Sequence, residues 1–193
     1  SGGTIKCWGE GSDGQLGNGA TSDQSTPVSV SNIDNATSVS AGFNHTCAVL
    51  SGGTIKCWGD GSWQQLGNGS TSDQNTPVSV SNISNATAVS GGERYTCALI
   101  SGGTVKCWGY GSSGQLGNGS TSNQLSPVSV TNISTATALS AGVIHACTVL
   151  TGGSIQCWGY NAEGQLGTGA TSDNGTLTLS NQSTPVTVKF IGQ

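Results

Sequence analysis

Apolar and β-branched residues fall in short runs separated by polar, glycine-rich stretches. In residues 45–59, H-T-C-A-V-L and T-I-K-C-W flank Ser51-Gly52-Gly53, the pattern of a hairpin with a three-residue, glycine-bearing loop. Pairing Leu50 with Thr54 sets Val49 opposite Ile55, Ala48 opposite Lys56 and Cys47 opposite Cys57. Opposed residues of an antiparallel pair have Cβ atoms about 4.5–5.5 Å apart, so a disulfide needs little adjustment. The same spacing joins Cys97 to Cys107 and Cys147 to Cys157, and leaves Cys7 unpaired within the chain.

The pattern recurs every fifty residues, with cysteines at 7, 57, 107 and 157. The chain therefore reads as a single repeat domain, 1–193, with repeats over 1–50, 51–100 and 101–150 and an altered, truncated fourth over 151–193. Each unit predicts four short strands, in the second copy Thr54 to Trp58, Pro77 to Val80, Thr87 to Ser90 and Tyr95 to Ile100. Gly, Asn, Asp and Ser clusters between them are turn chemistry. Helical periodicity is absent. Four strands per ~50-residue unit predict an all-β β-propeller with about four blades present.

The motif H-T-C-A-V-L-S-G-G-T-I-K-C-W-G followed by Q-L-G-N-G resembles the repeat of the regulator of chromosome condensation family, in its cysteine-bearing extracytoplasmic form. The resemblance spans essentially the whole chain. It implies a seven-bladed ring in which each repeat straddles two blades. It also brings in relatives that include guanine-nucleotide exchange factors and a secreted β-lactamase inhibitor. Repeat four departs from the pattern: eight extra residues lie between Asn174 and Ser183, and the A-T-x-V-S and H-T-C strands do not recur. Cys7 sits on a second hairpin strand whose first strand would precede Ser1. The expectation is a C-terminal part of a longer seven-bladed ring, or a ring completed by another subunit.

Composition narrows the function. Charged residues make up 7% of the chain, with five basic and nine acidic side chains and no basic run, which sets nucleic acid aside as a partner. No apolar run approaches a membrane span, so no membrane insertion is expected. Cysteine gaps alternate between forty and ten residues without zinc-ligand spacing, and repeated hairpin disulfides point to an extracellular, cell-surface or periplasmic location. Asn-x-Ser/Thr triplets at Asn44, Asn68, Asn82 and Asn85 permit glycans on Asn, and the many Ser and Thr permit them there too.

Most repeated residues have structural explanations. Trp8, Trp58, Trp108 and Trp158 recur at one position as core between sheets. His45 and His145 share their position with Tyr95, which argues for packing over metal or acid–base work. Asp23, Asp73 and Asp173, with Asn123, read as turn formers. No unique set of nucleophile, base and orienting acid occurs, so neither catalysis nor a cofactor nor a metal is expected. The positions where repeats disagree are the candidates for binding: Phe43, Asn44, Asp60, Trp63, Glu93, Arg94, Tyr110, Ile144 and Tyr160. They lie in loops, where a rigid frame places recognition residues. The expected role is a non-enzymatic structural and protein-interaction module whose partner is another protein or copies of itself. Two alternatives stand beside it. One is a subunit of an extracellular filament or surface layer joined by strand addition; the other is a secreted inhibitor of a protein such as a hydrolase.

Overall fold

The computed structural model describes residues 3–169 and 180–189. Asp173 and most of the extra stretch after Asn174 lie outside the described residues. The first strand pair is β1 (Lys6–Gly9) and β2 (Gln24–Ser29), a two-stranded sheet. Three four-stranded antiparallel sheets follow. The first holds β3 (Ala36–Ala41), β4 (His45–Leu50), β5 (Ile55–Gly59) and β6 (Gln74–Ser79). The second holds β7 (Ala86–Gly91), β8 (Tyr95–Ile100), β9 (Thr104–Gly109) and β10 (Gln124–Ser129). The third holds β11 (Ala136–Ala141), β12 (His145–Leu150), β13 (Ile155–Gly159) and β14 (Gln182–Thr187). Each repeat straddles two sheets: repeat two gives its first two strands to one and its last two to the next. The about four blades expected resolve into three complete sheets and a two-stranded one.

The hairpin register is that of the sequence reading, with Cys47 opposite Cys57 and Val49 opposite Ile55. Leu50 N–H donates to the Thr54 carbonyl at 2.9 Å, closing the loop over Gly52 and Gly53, whose φ of 96° and 81° only glycine adopts readily. Bonds Cys47–Cys57, Cys97–Cys107 and Cys147–Cys157 each span a Cα separation of 4.1 Å. Cys7 lies opposite Val28 and is a free, partly buried thiol, which burial pushes upward in pKa.

Sheets stack face to face. Strand β7 contacts both β3 and β11, so these first strands form the inner rim. The second strands β4 and β8 are buried on both faces because each is flanked by neighbouring sheets as well as neighbouring strands. One apolar core, with Val49, Ile55, Leu66, Val89 and Trp108, fills the space between the first two complete sheets. A second, with Leu99, Val105, Leu116, Ala146 and Trp158, fills the next.

The Q-L-G turn keys one repeat into the next. Trp58, Trp108 and Trp158 are fully buried, and their indole N–H groups donate to the carbonyls of Gln15, Gln65 and Gln115 at 2.9, 2.8 and 3.0 Å. Trp8 corrects the core expectation, being 62% exposed. The turn that covers each later indole comes from the preceding repeat, and no described residue occupies that place for Trp8.

Candidate recognition cleft

At one end of the sheets lie the loops joining first to second strands and the loops following third strands. The Ser-Gly-Gly hairpins occupy the other end. Backbone bonds fix the first set to each other. Phe43 N–H donates to the Gly92 carbonyl at 3.2 Å, and Glu93 N–H to that of Val143 at 3.1 Å. Within each sheet, Asp60 N–H donates to Asn44, Tyr110 to Arg94 and Tyr160 to Ile144, at 2.8, 2.9 and 2.9 Å. The two families of variable positions are therefore paired by the ladder itself.

Between the first two complete sheets these loops leave a cleft of about 360 Å³ lined by Phe43, Asn44, Asp60, Trp63, Glu93 and Arg94. The Arg94 guanidinium lies over the Trp63 ring at 4.8 Å, and its Nε meets Glu93 Oε1 at 3.4 Å. Tyr110 packs edge-on against the same indole, with centroids 5.0 Å apart. Phe43 is 75% exposed at the rim. Ile144 and Tyr160 pair with each other in the third sheet and do not line the cleft. Three lining residues were absent from the sequence-derived set: Asp13, Ser62 and Asp73. Asp13 carried a signal, since it occupies the repeat position of Trp63.

The carboxylates are locally organised. Asp60 Oδ1 accepts from Ser62 N–H and Oγ–H at 2.8 and 2.6 Å. Asp73 Oδ1 accepts from Gly61 N–H at 2.9 Å, as Asp23 does from Gly11 and Asn123 from Gly111 at 3.0 Å. In repeat four Asn181 takes that role, accepting from Asn161 N–H at 3.1 Å. Partial burial, then the charges of Asp60, Asp73 and Glu10, raise the Asp13 carboxyl above its ordinary value.

Below the cleft, His45 is a packing residue. Thr96 Oγ donates its one proton to the Gln65 carbonyl at 2.8 Å, so it accepts from His45 Nε2–H, also at 2.8 Å. That network assigns the tautomer and leaves His45 Nδ1 buried without a partner. Burial lowers the imidazole from 6.5 to about 4, against a weaker opposing pull from Asp60, and burial likewise lowers His145. Tyr95 takes the same repeat position, and its hydroxyl shares its one proton between the carbonyls of His145 and Gly142. Burial raises its phenol. Among the described residues no three His, Cys, Asp or Glu side chains gather to hold a metal, and no helix is long and apolar enough to cross a membrane.

Solved structures of similar fold come from propellers about twice as long. Human WBSCR16 is 24% identical with a TM-score of 0.82, over 98% of this chain and 49% of its own. Prp20p from Saccharomyces cerevisiae, described with its binding properties to Gsp1p and histones, is 18% identical with a TM-score of 0.82, over 98% and 47%. Yeast RCC1 (Prp20) bound to Kap60 is 18% identical with a TM-score of 0.79, over 98% and 45%. This chain thus spans about half the length of those chains. No curated protein matches the sequence. The family model described as the regulator of chromosome condensation (RCC1) repeat matches residues 3–49, 53–99 and 102–149, and a second model of that description matches 86–115. With the repeat matched over most of its length and folded into straddling four-stranded sheets, the chain belongs to the RCC1 repeat family.

Proposed function

We propose that the chain is a protein-interaction module, a disulfide-stapled propeller segment whose variable loops grip a protein partner at one end of the sheets. The observation that carries this is convergence. Phe43, Asn44, Asp60, Trp63, Glu93 and Arg94 differ from their counterparts in other repeats, yet they line one cleft. Loops fixed by main-chain bonds present aromatic and arginine side chains at little further entropic cost. The work assigned is recognition and not catalysis, by a single repeat domain whose fourth unit, 151–193, is altered.

We place the protein outside the reducing cytoplasm, in an extracellular, cell-surface or periplasmic setting. Three disulfides support this, since such bonds persist in oxidising compartments. If it carries N-linked glycans, the exposed Asn82 and Asn85 are better acceptors than Asn68, whose Oδ1 accepts from Ser70 N–H at 3.1 Å.

A photo-crosslinking residue at Phe43, compared with one at Asn85 on the opposite end, tests the reading in the native extracellular fraction. A discrete adduct formed from position 43, absent from position 85 and lost in Trp63→Ser, is expected. Equal adducts from both positions, or none from position 43, would refute it. An adduct with a second copy assigns the face to self-assembly.

A further inference from the structure

We propose that the cleft between the first two complete sheets receives a lysine or arginine side chain of the protein partner, with apolar neighbours of that side chain resting on Phe43. The inference rests on the recognition reading above and names the chemistry of what is recognised. The cleft already holds one cation: Arg94 lies over the Trp63 indole beside the Glu93 carboxylate. That arrangement, from this chain's own side chain, shows that the walls hold a guanidinium, and it leaves the carboxylates of Asp13, Asp60 and Asp73 for a second cation.

Charge is left over after Arg94 is satisfied. Asp13, Asp60, Asp73 and Glu93 line a cleft that contains a single guanidinium, and Arg94–Glu93 is the only ion pair among the described residues. The lysines cannot neutralise the remainder. Lys56 lies near the hairpin end of β5, and Asp60 follows the other end, four residues and about 13 Å along the strand. Lys106 holds the same place in β9, Lys6 is bonded to Ser29 Oγ at 2.8 Å, and Lys189 follows β14 of the third sheet, its N–H bonded to the Gly167 carbonyl at 2.8 Å. In a chain with 7% charged residues this is a concentrated negative field over a water-accessible volume of about 360 Å³. Beside it Phe43, 75% exposed, supplies an apolar anchor.

The test uses nuclear magnetic resonance of the ¹⁵N-labelled chain. Three probes are titrated: the capped peptide Gly-Leu-Arg-Leu-Gly and its forms with Gln or Glu at the centre. The Arg peptide should shift the Trp63 indole N–H and the amides of Asn44 and Asp60 saturably, and bind at least tenfold tighter than the Gln peptide. High salt should weaken it on the unaltered protein. Asp13→Asn with Asp60→Asn should reduce its binding about tenfold; Asn at 60 retains the oxygen that accepts from Ser62, so the loop is kept. Asp34→Asn, exposed at the far end, should change nothing. If the Gln or Glu peptide binds as well as the Arg peptide, the cationic inference falls while the recognition reading stands. If no peptide binds but the Phe43 crosslink forms, the cleft is not a cation site and recognition uses the rim. If neither occurs, both readings fail.

Discussion

Replacing Gly67 by alanine isolates how one repeat is keyed into the next. Gly67 has φ +64°, and a Cβ there would lie 2.6 Å from the Nε1 of Trp108 and 2.7 Å from its Cδ1. The left-handed backbone alone costs an alanine about 1–2 kcal/mol. The indole, fully buried, must then move. Its 2.8 Å bond to the Gln65 carbonyl is lost, and an unsatisfied buried N–H costs a further ~1–3 kcal/mol. Gly67→Ala should therefore destabilise by about 2–5 kcal/mol. Gly52→Ala is the matched control: φ is +96° but no atom lies within 4 Å of the added methyl, so only the backbone share applies. Urea denaturation followed by tryptophan fluorescence measures both. Equal losses for the two variants would show that the indole does not rest on the glycine, and would remove the physical reason given for the invariant Q-L-G turn.

Cys97→Ala with Cys107→Ala opens a link of sequence separation 10, which should cost about 3 kcal/mol through the freed unfolded chain and lower Tm by about 6–12 °C. Alkylation of the unreduced, denatured protein should label Cys7 alone, and labelling of any other cysteine would contradict the pairing. Because Asn123 does in repeat three what Asp73 does in repeat two, Asp73→Asn should stay within ~0.5 kcal/mol of the parent while Asp73→Ala loses about 1 kcal/mol, as measured by urea midpoints. His45 titrates at about 4 folded and at 6.5 unfolded, so between those values the unfolded chain binds the extra proton. Stability is full above pH 6.5, falls by about 3 kcal/mol as pH drops towards 4, and levels below it. His45→Tyr with Thr96→Ala, copying Tyr95 and Ala146, should flatten most of that slope, with His145 retaining a smaller part; an unaltered pH profile would refute the assignment.

The legible part of this protein is what repeats. Period and hairpin spacing are local, so Cys47 opposite Cys57 follows from counting across a three-residue loop. What was not legible depends on the neighbouring sheet. Trp8 has the same sequence context as Trp58, yet one is 62% exposed and the other buried, because the covering turn lies 43 residues upstream of the indole it meets. Strand bounds shifted for a related reason: β6 begins at Gln74, three residues before the predicted Pro77, with an irregular register against β5 that local propensity does not encode. Asp73 reads in the sequence as a local turn former, whereas its side chain ties together the ends of a long loop, accepting from Gly61 N–H twelve residues earlier, and also lines the cleft. A single sequence gives no means of seeing that a residue closing its own loop also faces a neighbour's.

The same geometry explains why variation concentrates in one cleft. A repeat position free to change must avoid the indole, the Q-L-G turn and the cross-strand disulfide, which together fill the middle of each complete sheet and the space between it and its neighbour. At the cleft end the loops are joined to one another by main-chain bonds, Asp60 N–H to Asn44 and Phe43 N–H to Gly92, which do not depend on the side chains at those positions, so these can change without loosening the frame. The exchange of His45–Thr96 for Tyr95–Ala146 between adjacent interfaces is the contrasting case of an inner position: both partners differ together, the imidazole bonding the threonine hydroxyl and the phenol a main-chain carbonyl. Outside that buried pair no such compensation is required. Individuality therefore accumulates at Phe43, Asp60, Trp63 and Arg94, the positions at which a partner can be distinguished.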